Sequence, residues 1–322
     1  MDGVDMLSVV VPIYKCEENL PRLFSELVRI AGQSPVPVEL VFVNDGSPDA
    51  CGKIVEEKLP SLPVAAQLIH LTRNFGSFAA IAAGLKHARG EYFAVIAADL
   101  QEPPELLLQF LEKMRSGEAD VVFGVRAHRA DPLFTRLFSN LFWTMYRHLV
   151  NPQIPPGGVD IFGCNRKVRD QVCAMKEVET SLVGLLFWIG YRRGFVSYDR
   201  RERLEGKSAW TFSKKFHYLV NSVFNFTDLP IRILMGVGIG GMFLSIAGAL
   251  TVLLAKLMGN IQVPGYSAIV VAVFFFGGLT ALGLGIVGQY IWLCLQNARN
   301  RPSFIIDRQY EHHPDSDSAE RR

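Results

Sequence analysis

The sequence predicts an α/β protein in which a mostly parallel sheet is followed by amphipathic helices and a C-terminal hairpin of two transmembrane helices. Three observations carry this reading. Strand-like apolar runs alternate with helical periodicities over the first 125 residues. Between Ile233 and Ala298 the only charged residue is Lys256, which marks a sharp change of composition. Aromatic-rich segments with one apolar face lie between the two regions.

The strand-like runs are Leu7–Val11, Val38–Val43, Gln67–Leu71, Tyr92–Ile96 and Val121–Phe123. Between them, Glu17–Ile30, Asp49–Lys58, Phe78–Ala88 and Pro104–Arg115 show helical patterns. Strict β-α alternation gives parallel strands with helices on both faces. Such sheets bind ligands beyond the carboxyl ends of their strands, so the residues just after each strand carry the interest. They form a set: Pro12-Ile13-Tyr14-Lys15-Cys16-Glu17, Asn44-Asp45-Gly46-Ser47, Thr72-Arg73-Asn74-Phe75-Gly76 and Ala98-Asp99-Leu100-Gln101. Each alone is also a good turn or helix cap. Together they predict a site for a polar, phosphate-bearing ligand.

After Arg126 the regular β-α pattern stops. Arg126, Arg129, Asp131 and Arg136 lead into an apolar face made by Phe134, Leu137, Phe138, Leu141, Phe142, Met145 and Leu149. A second such face has Phe212, Phe216, Leu219, Val220, Val223 and Phe224. Basic edges and aromatic content next to spanning segments predict helices lying in the membrane interface.

Ile233–Ala255 is uncharged over 23 residues. As a helix it would be roughly 35 Å long, enough for a hydrocarbon core of about 30 Å. A second uncharged stretch runs from about Ser267 to Leu295. Arg232 precedes the first span, Arg299 and Arg301 follow the second, and the loop between them has no basic residue. The positive-inside rule then puts both termini and the N-terminal domain in the cytosol, on a multi-pass protein of the cytoplasmic membrane. Gly236 with Gly240, and Ala281 with Gly285, would allow close helix contact within the hairpin or in a homo-oligomer.

Composition excludes other classes. Lys and Arg total 33 against 31 Asp and Glu, a net charge of +2 that gives no footing for a nucleic-acid partner. The five cysteines, Cys16, Cys51, Cys164, Cys173 and Cys294, have neither zinc-site nor disulfide-framework spacing. The N-terminus is acidic where a secretion signal needs basic residues. The tail after Ile306, acidic and containing histidines, reads as disordered.

The blocks VVVPIYKCEENLP, VFVNDGSPD, LTRNFGSFAAIAAGL and AADLQEPPEL, in this order, resemble those of family 2 glycosyltransferases with the GT-A, Rossmann-like fold. Within that family they are most similar to the branch of dolichyl-phosphate mannosyltransferase and bactoprenol glucosyltransferase. GIVGQYIWLCLQNARNRPSFII resembles that branch's closing segment. The resemblance implies an inverting transfer of sugar from a nucleotide-sugar donor to a polyprenyl phosphate at the cytosolic membrane face. It divides the chain into a GT-A core at 1–126, an acceptor-side segment at 127–229, two spans within 230–298 and a cytosolic tail at 299–322.

By the same resemblance, Pro12, Tyr14, Glu17, Asp45 and Arg73 would bind the donor. Asp99 would be the surviving acid of the Asp-x-Asp motif, with Gln101 as a further ligand of Mg²⁺ or Mn²⁺. Ala97 stands where that motif has its first aspartate, which leaves one carboxylate fewer for the metal. Asp160, in Gly157–Gly163, would orient the acceptor. Arg126, Arg129, Arg203, Lys207 and Ser208 would hold phosphate, although Ala209 replaces the lysine usual in the basic loop. Two other readings stay open. A processive polysaccharide synthase shares the fold, but its Gln-x-x-Arg-Trp string is absent. A non-catalytic scaffold for nucleotide sugars or lipids is suggested by Ala97.

Overall fold

The computed structural model describes residues 5–127, 151–155, 161–175, 182–201 and 265–314, with isolated positions between 144 and 250. Strands β1 (Leu7–Ile13), β2 (Val38–Asn44), β3 (Ala65–Leu71), β4 (Tyr92–Val95) and β5 (Val121–Arg126) follow the predicted runs. Helices α1 (Leu20–Gln33), α2 (Cys51–Lys58), α3 (Ser77–His87) and α4 (Leu106–Arg115) connect them. Three further strands complete an eight-stranded sheet: β6 (Phe162–Asn165), β7 (Arg193–Tyr198) and β8 (Ile306–His312).

The strand order is β7-β5-β6-β4-β1-β2-β3-β8. β4, β1, β2 and β3 are parallel neighbours, as are β5 and β7, while β6 and β8 run antiparallel to their partners. The mixed but mostly parallel sheet is therefore the expected α/β architecture. It also extends past residue 126: β6, β7, α5 (Arg166–Ala174) and α6 (Leu182–Trp188) come from the stretch that showed no β-α rhythm.

Helices cover both faces. Leu20, Leu23, Leu27 and Ile30 of α1, Val55 of α2 and Leu107, Phe110 and Leu111 of α4 pack with Val9, Val11 and Phe42 on one face. Ala80, Ala83 and Leu85 of α3, Val168 of α5 and Leu186 and Phe187 of α6 pack with Val10, Val41 and Val43 on the other. Strands covered on both sides read as continuous apolar runs, which is why β1 and β2 were legible. Gly84 lets α3 lie close to β1, since a Cβ there would stand 2.3 Å from Val10 Cγ1.

The tail departs from expectation. Ile306–His312 is not disordered but forms the edge strand β8, which pairs with β3 from Leu71↔Ile306 to Ala66↔His312. Its own composition gives no stable strand. The free edge of β3 supplies the partner, and the charges of Asp307, Arg308 and Glu311 suit a sheet edge. Side chains reinforce the join: Gln309 Nε2 donates to Gln67 Oε1 (3.1 Å), and Arg89 pairs with Glu311.

Before β8 lies α7 (Tyr266–Ala298), which contains the second expected span. Its segment Phe275–Ala298 is long and apolar enough to cross a membrane. Of the first expected span only part is described, and an apolar helix covers Leu229–Gly241. That helix runs antiparallel beside α7: Tyr290 Oη donates to Thr227 O (3.3 Å), and Leu234 and Gly241 lie against Gly283 and Phe276.

Candidate functional site

All parallel strands deliver their following loops to one edge of the sheet, and these loops are bonded to one another. After β1, Lys15 takes a left-handed conformation (φ 50°) and its amide donates to Ser47 Oγ (2.8 Å) in the loop after β2. The Glu17 amide donates to Asp49 Oδ2 (3.3 Å), and Glu17 Oε2 accepts from the Ala50 amide (2.9 Å). Asp49 also accepts from Ser47 Oγ (2.5 Å) and from the Cys51 amide at the start of α2 (3.2 Å). Burial opposes ionisation of Asp49. The hydrogen bonds from Cys51, Ser47 and the Cys51 and Glu17 amides outweigh it and hold the carboxyl below the usual range.

Asp45 ties the β2 loop to the β3 loop. Its Oδ1 accepts from the Phe75 amide (2.7 Å) and its Oδ2 from the Gly76 amide (3.0 Å). It is buried to 3 % exposure, and burial raises its carboxyl above the ordinary value despite the two amides and the nearby Arg73 charge. Gly46 (φ 59°) makes the crossing possible, since a Cβ there would lie 2.4 Å from the Arg73 carbonyl carbon. Glu17 and Asp45, both expected to face a donor, thus also serve as brackets between loops.

β4 runs into a tight turn. Leu100 is buried yet left-handed (φ 49°), its amide donates to Ala97 O (3.3 Å), and Asp99 Oδ1 accepts from the Gln101 amide (3.4 Å). A buried β-turn residue held in this region stores strain of a kind that clusters at functional sites. The segment after β7 docks on this turn. Gln101 Oε1 accepts from the Arg200 guanidinium, Gln101 O accepts from the Arg201 amide (2.9 Å), and Arg200 Nε stands 3.9 Å from Glu102 Oε1.

This arrangement bears on the metal. Gln101, expected as a ligand, directs its amide oxygen at a fixed cation instead. Among the described residues no cluster of three His, Cys, Asp or Glu side chains could hold an ion. Of the two carboxylates at this turn, Glu102 faces Arg200 (3.9 Å), which leaves Asp99 as the hard oxygen donor. That does not make an all-protein cage, but it fits a Mg²⁺-type site completed by substrate phosphates and water.

The remaining expected residues divide. Pro12 lies in β1, half-buried, and Tyr14 is 40 % exposed with Lys15 Nζ 5.6 Å from its ring centre. Arg73 stacks on Phe75 (4.0 Å) and donates to Asn74 O (3.0 Å). Arg126 ends β5, level with Tyr198 at the end of β7. Arg129, Asp160, Arg203, Lys207 and Ser208 lie outside the described residues, as does most of the two expected interfacial helices. Asp49, which reads in sequence as a helix cap, does accept from the Cys51 amide, and the structure adds its bond to the Glu17 amide. Arg200 and Arg201 stand at the head of the basic run that resembles the family's phosphate-binding loop, but their docking on the Asp99 turn is not legible in the sequence.

A mostly parallel sheet with acid-bearing loops at its carboxyl edge defines the class: an α/β protein whose candidate ligand site lies beyond the carboxyl ends of its strands. Residues 8–173 match the family model described as Glycosyl transferase family 2. The chain belongs to that family and is a family 2 glycosyltransferase. It is 31 % identical over 96 % of its length to the SfII prophage-derived bactoprenol glucosyl transferase of Shigella flexneri, covering 99 % of that protein. It is 32 % identical to the uncharacterized glycosyltransferase YkcC of Bacillus subtilis, with 94 % of each chain covered. Among solved structures, mannosyl-3-phosphoglycerate synthase from Rubrobacter xylanophilus is similar at 17 % identity and a TM-score of 0.49, over 72 % of this chain and 75 % of that one.

Proposed function

We propose that this enzyme moves a sugar from a nucleotide-sugar donor to a polyprenyl phosphate, with inversion, at the cytosolic face of the cytoplasmic membrane. Relatives named for transfer to bactoprenol support the acceptor class. The observation that carries the reading is where the membrane-competent helix meets the sheet. α7 is followed by residues 299–305, and the Thr72 amide just after β3 donates to Ile305 O (3.0 Å). The chain therefore enters the sheet at its carboxyl edge, the edge bearing Tyr14, Asp45 and Asp99. With Arg299 and Arg301 on the cytosolic side, that edge is turned toward the bilayer, where a lipid phosphate sits. The Leu229–Gly241 helix and its continuation through 255 would form the other arm of the spanning hairpin.

The phosphate oxygen of the acceptor is anionic at neutral pH and attacks the anomeric carbon in line with the departing nucleoside diphosphate, without a strong general base. Asp160 would orient the acceptor. Arg126, Arg129, Arg203, Lys207 and Ser208 would offset the repulsion between two phosphate-bearing substrates. Pro12, Tyr14, Glu17, Asp45 and Arg73 would frame the donor. A Mg²⁺ or Mn²⁺ ion held by Asp99 would supply charge stabilisation to the leaving diphosphate. Arg200, fixed on the Asp99 turn, adds a cation where the missing carboxylate of Ala97 leaves the turn less acidic.

The test is the full chain in detergent, given polyprenyl phosphate, Mg²⁺ or Mn²⁺ and a panel of labelled nucleotide sugars. A monoglycosylated lipid is expected, and its formation should fall by about 10²-fold or more in Asp99→Asn, the scale set by losing one preorganised charge group. Long polymer, or donor binding without turnover across the whole panel, would refute the proposal.

A further inference from the structure

Asn44 ends β2, and His70 stands opposite it in the register of β3; both are buried. Asn44 Oδ1 accepts from the Ser47 amide (2.9 Å), and Asn44 Nδ2 lies 3.1 Å from His70 Nδ1. A backbone amide can only donate, so it takes the Asn44 oxygen and leaves the side-chain nitrogen to His70. His70 Nδ1 must then accept, which makes the ring neutral with its proton on Nε2. Nε2 is buried without a hydrogen-bond partner among the described residues, so it imposes no choice of its own. α2 closes on the pair at Gly52, where a Cβ would stand 2.4 Å from Asn44 Nδ2 and 3.0 Å from His70 Cε1.

We propose that His70 is a positioning residue for the candidate donor loops, acting through Asn44 on Ser47; its effect on nucleotide affinity rests on the donor-site reading above. Ser47 is the node of those loops. Its Oγ accepts from the Lys15 amide (2.8 Å) and donates to Asp49 Oδ1 (2.5 Å), while Asp49 Oδ2 accepts from the Glu17 amide (3.3 Å). Asn44 holds this node by its backbone, and the next residue, Asp45, holds the β3 loop through the Phe75 and Gly76 amides. The orientation of one side-chain amide, chosen by His70, is thus passed to the loops after β1 and β2. A protonated ring carries a hydrogen on Nδ1, and two donors would then face each other. Turning the Asn44 amide over relieves that contact but sets Nδ2 against the Ser47 amide and releases the node.

The surroundings keep the ring neutral. Burial and then the Arg308 charge on β8 lower its basicity, against the pull of Glu56 on α2 and Asp307 beside β8's Arg308. Tyr310 of β8 meets the ring edge-on, with 5.8 Å between centres, and β2 offers only the uncharged Asn44. A histidine lowered by the fold stays neutral down to a pH below its ordinary value of about 6.5. The Asn44 bond is therefore intact above that value and is lost as pH falls through the lower, folded one.

The full chain in detergent, with its histidines labelled with a nitrogen isotope, is followed by NMR and by amide hydrogen exchange from about pH 8 down to about pH 5.5, across the histidine range. UDP and GDP affinities are measured in parallel. The His70 signal, assigned by its loss in His70→Asn, should show Nδ1 bare and Nε2 protonated at the upper pH. Affinity for whichever nucleotide binds should fall about tenfold toward the lower pH, the scale of one lost hydrogen bond, as exchange at Ser47 rises. His70→Asn, which offers an uncharged acceptor close to the place of Nδ1, should bind like the unaltered protein at the upper pH and escape that fall. Asp45 titrates alike in both proteins, so the difference between them belongs to His70. His70→Leu, with no acceptor, should bind weakly at every pH. A proton on Nδ1 at the upper pH would overturn the proposal, as would His70→Leu with the affinity and acid response of the unaltered protein. Should His70→Leu not fold, Gly52→Ala displaces Asn44 from the α2 side and should give the same loss with His70 in place; unchanged affinity there counts equally against the proposal. If the unaltered protein binds neither nucleotide, the donor-site reading falls, while the ring signals and Ser47 exchange still decide the positioning.

Discussion

At the scale of single residues, the candidate site is built from groups that hold its loops together. Asp45 gives one oxygen to the Phe75 amide and the other to the Gly76 amide from a nearly dry position. Asp45→Ala would orphan both donors and should lower stability by about 1–3 kcal/mol, with a parallel rise in donor KM. Asp45→Asn keeps one acceptor oxygen and should lose less in both measurements, so equal losses in denaturant titration would contradict this account. Gly46 tests the same join from the other side. Its positive φ and the 2.4 Å approach to the Arg73 backbone leave no room for a methyl group. Gly46→Ala should cost about 1–3 kcal/mol of stability through strain alone, and wild-type unfolding and donor binding in that variant would show the crossing to be loose. The positions of these acids were legible, because Asn-Asp-Gly-Ser and Ala-Asp-Leu-Gln follow clear strands. Their bonding was not, because it joins residues 30 or more positions apart, such as Asp45 with Phe75 and Gly76 or Glu17 with Ala50.

Elements were legible in proportion to how far they are covered. β1 and β2 are buried on both faces and announce themselves as Val-rich runs, and α1 shows its stripe in Leu20, Leu23, Leu27 and Ile30. β6 has four residues, and β8 carries the polar string Ile-Asp-Arg-Gln-Tyr-Glu-His. Both are strands because a neighbour offers an edge, and tertiary pairing of that kind overrides local propensity. β7 depends on a specific ion pair as well. Arg192, just before it, grips Asp120, just before β5, through Nε to Oδ2 (2.9 Å) and Nη2 to Oδ1 (3.1 Å). The Arg192 guanidinium, helped by Asn165 and the Arg192 amide, holds the Asp120 carboxyl below the usual range against its partial burial. A carboxyl depressed in the folded state stabilises above its unfolded value of about 3.9 and loses that contribution as pH falls through the depressed value. The β5–β7 edge should therefore loosen first in acid. Asp120→Asn should abolish the part of the pH dependence below about pH 4, read as hydrogen exchange of β7 amides, and an unchanged acid profile would assign the edge's stability elsewhere.

At the scale of the whole molecule, β8 is what joins the long apolar helix α7 and the sheet into one unit. Residues 299–305 alone could span about 25 Å if extended, a reach that would leave the sheet free to reorient relative to α7. Pairing of Ile306–His312 along β3 removes that freedom and fixes the carboxyl edge close to the end of α7. Phe304 adds to the join, packing against the α3 side of the sheet with Lys86 Nζ 5.8 Å from its ring centre. In the proposed reaction the benefit falls on one step: donor binding would involve loops of the sheet only, whereas attack by a lipid phosphate would need the loops and the bilayer surface in register, and a displacement of about 1 Å can lower a rate by 10²-fold. Gln309→Pro, which fixes φ in the middle of the paired edge strand, should thus leave nucleotide affinity near that of the unaltered protein while lipid-dependent transfer in vesicles falls by about 10²-fold. Deleting 306–322 should do the same and also bare the β3 edge, adding a tendency to aggregate that Gln309→Pro at low protein concentration avoids. Equal loss of nucleotide binding and transfer would mean that β8 only stabilises the sheet, and full transfer by both variants would mean that α7 positions the site without it.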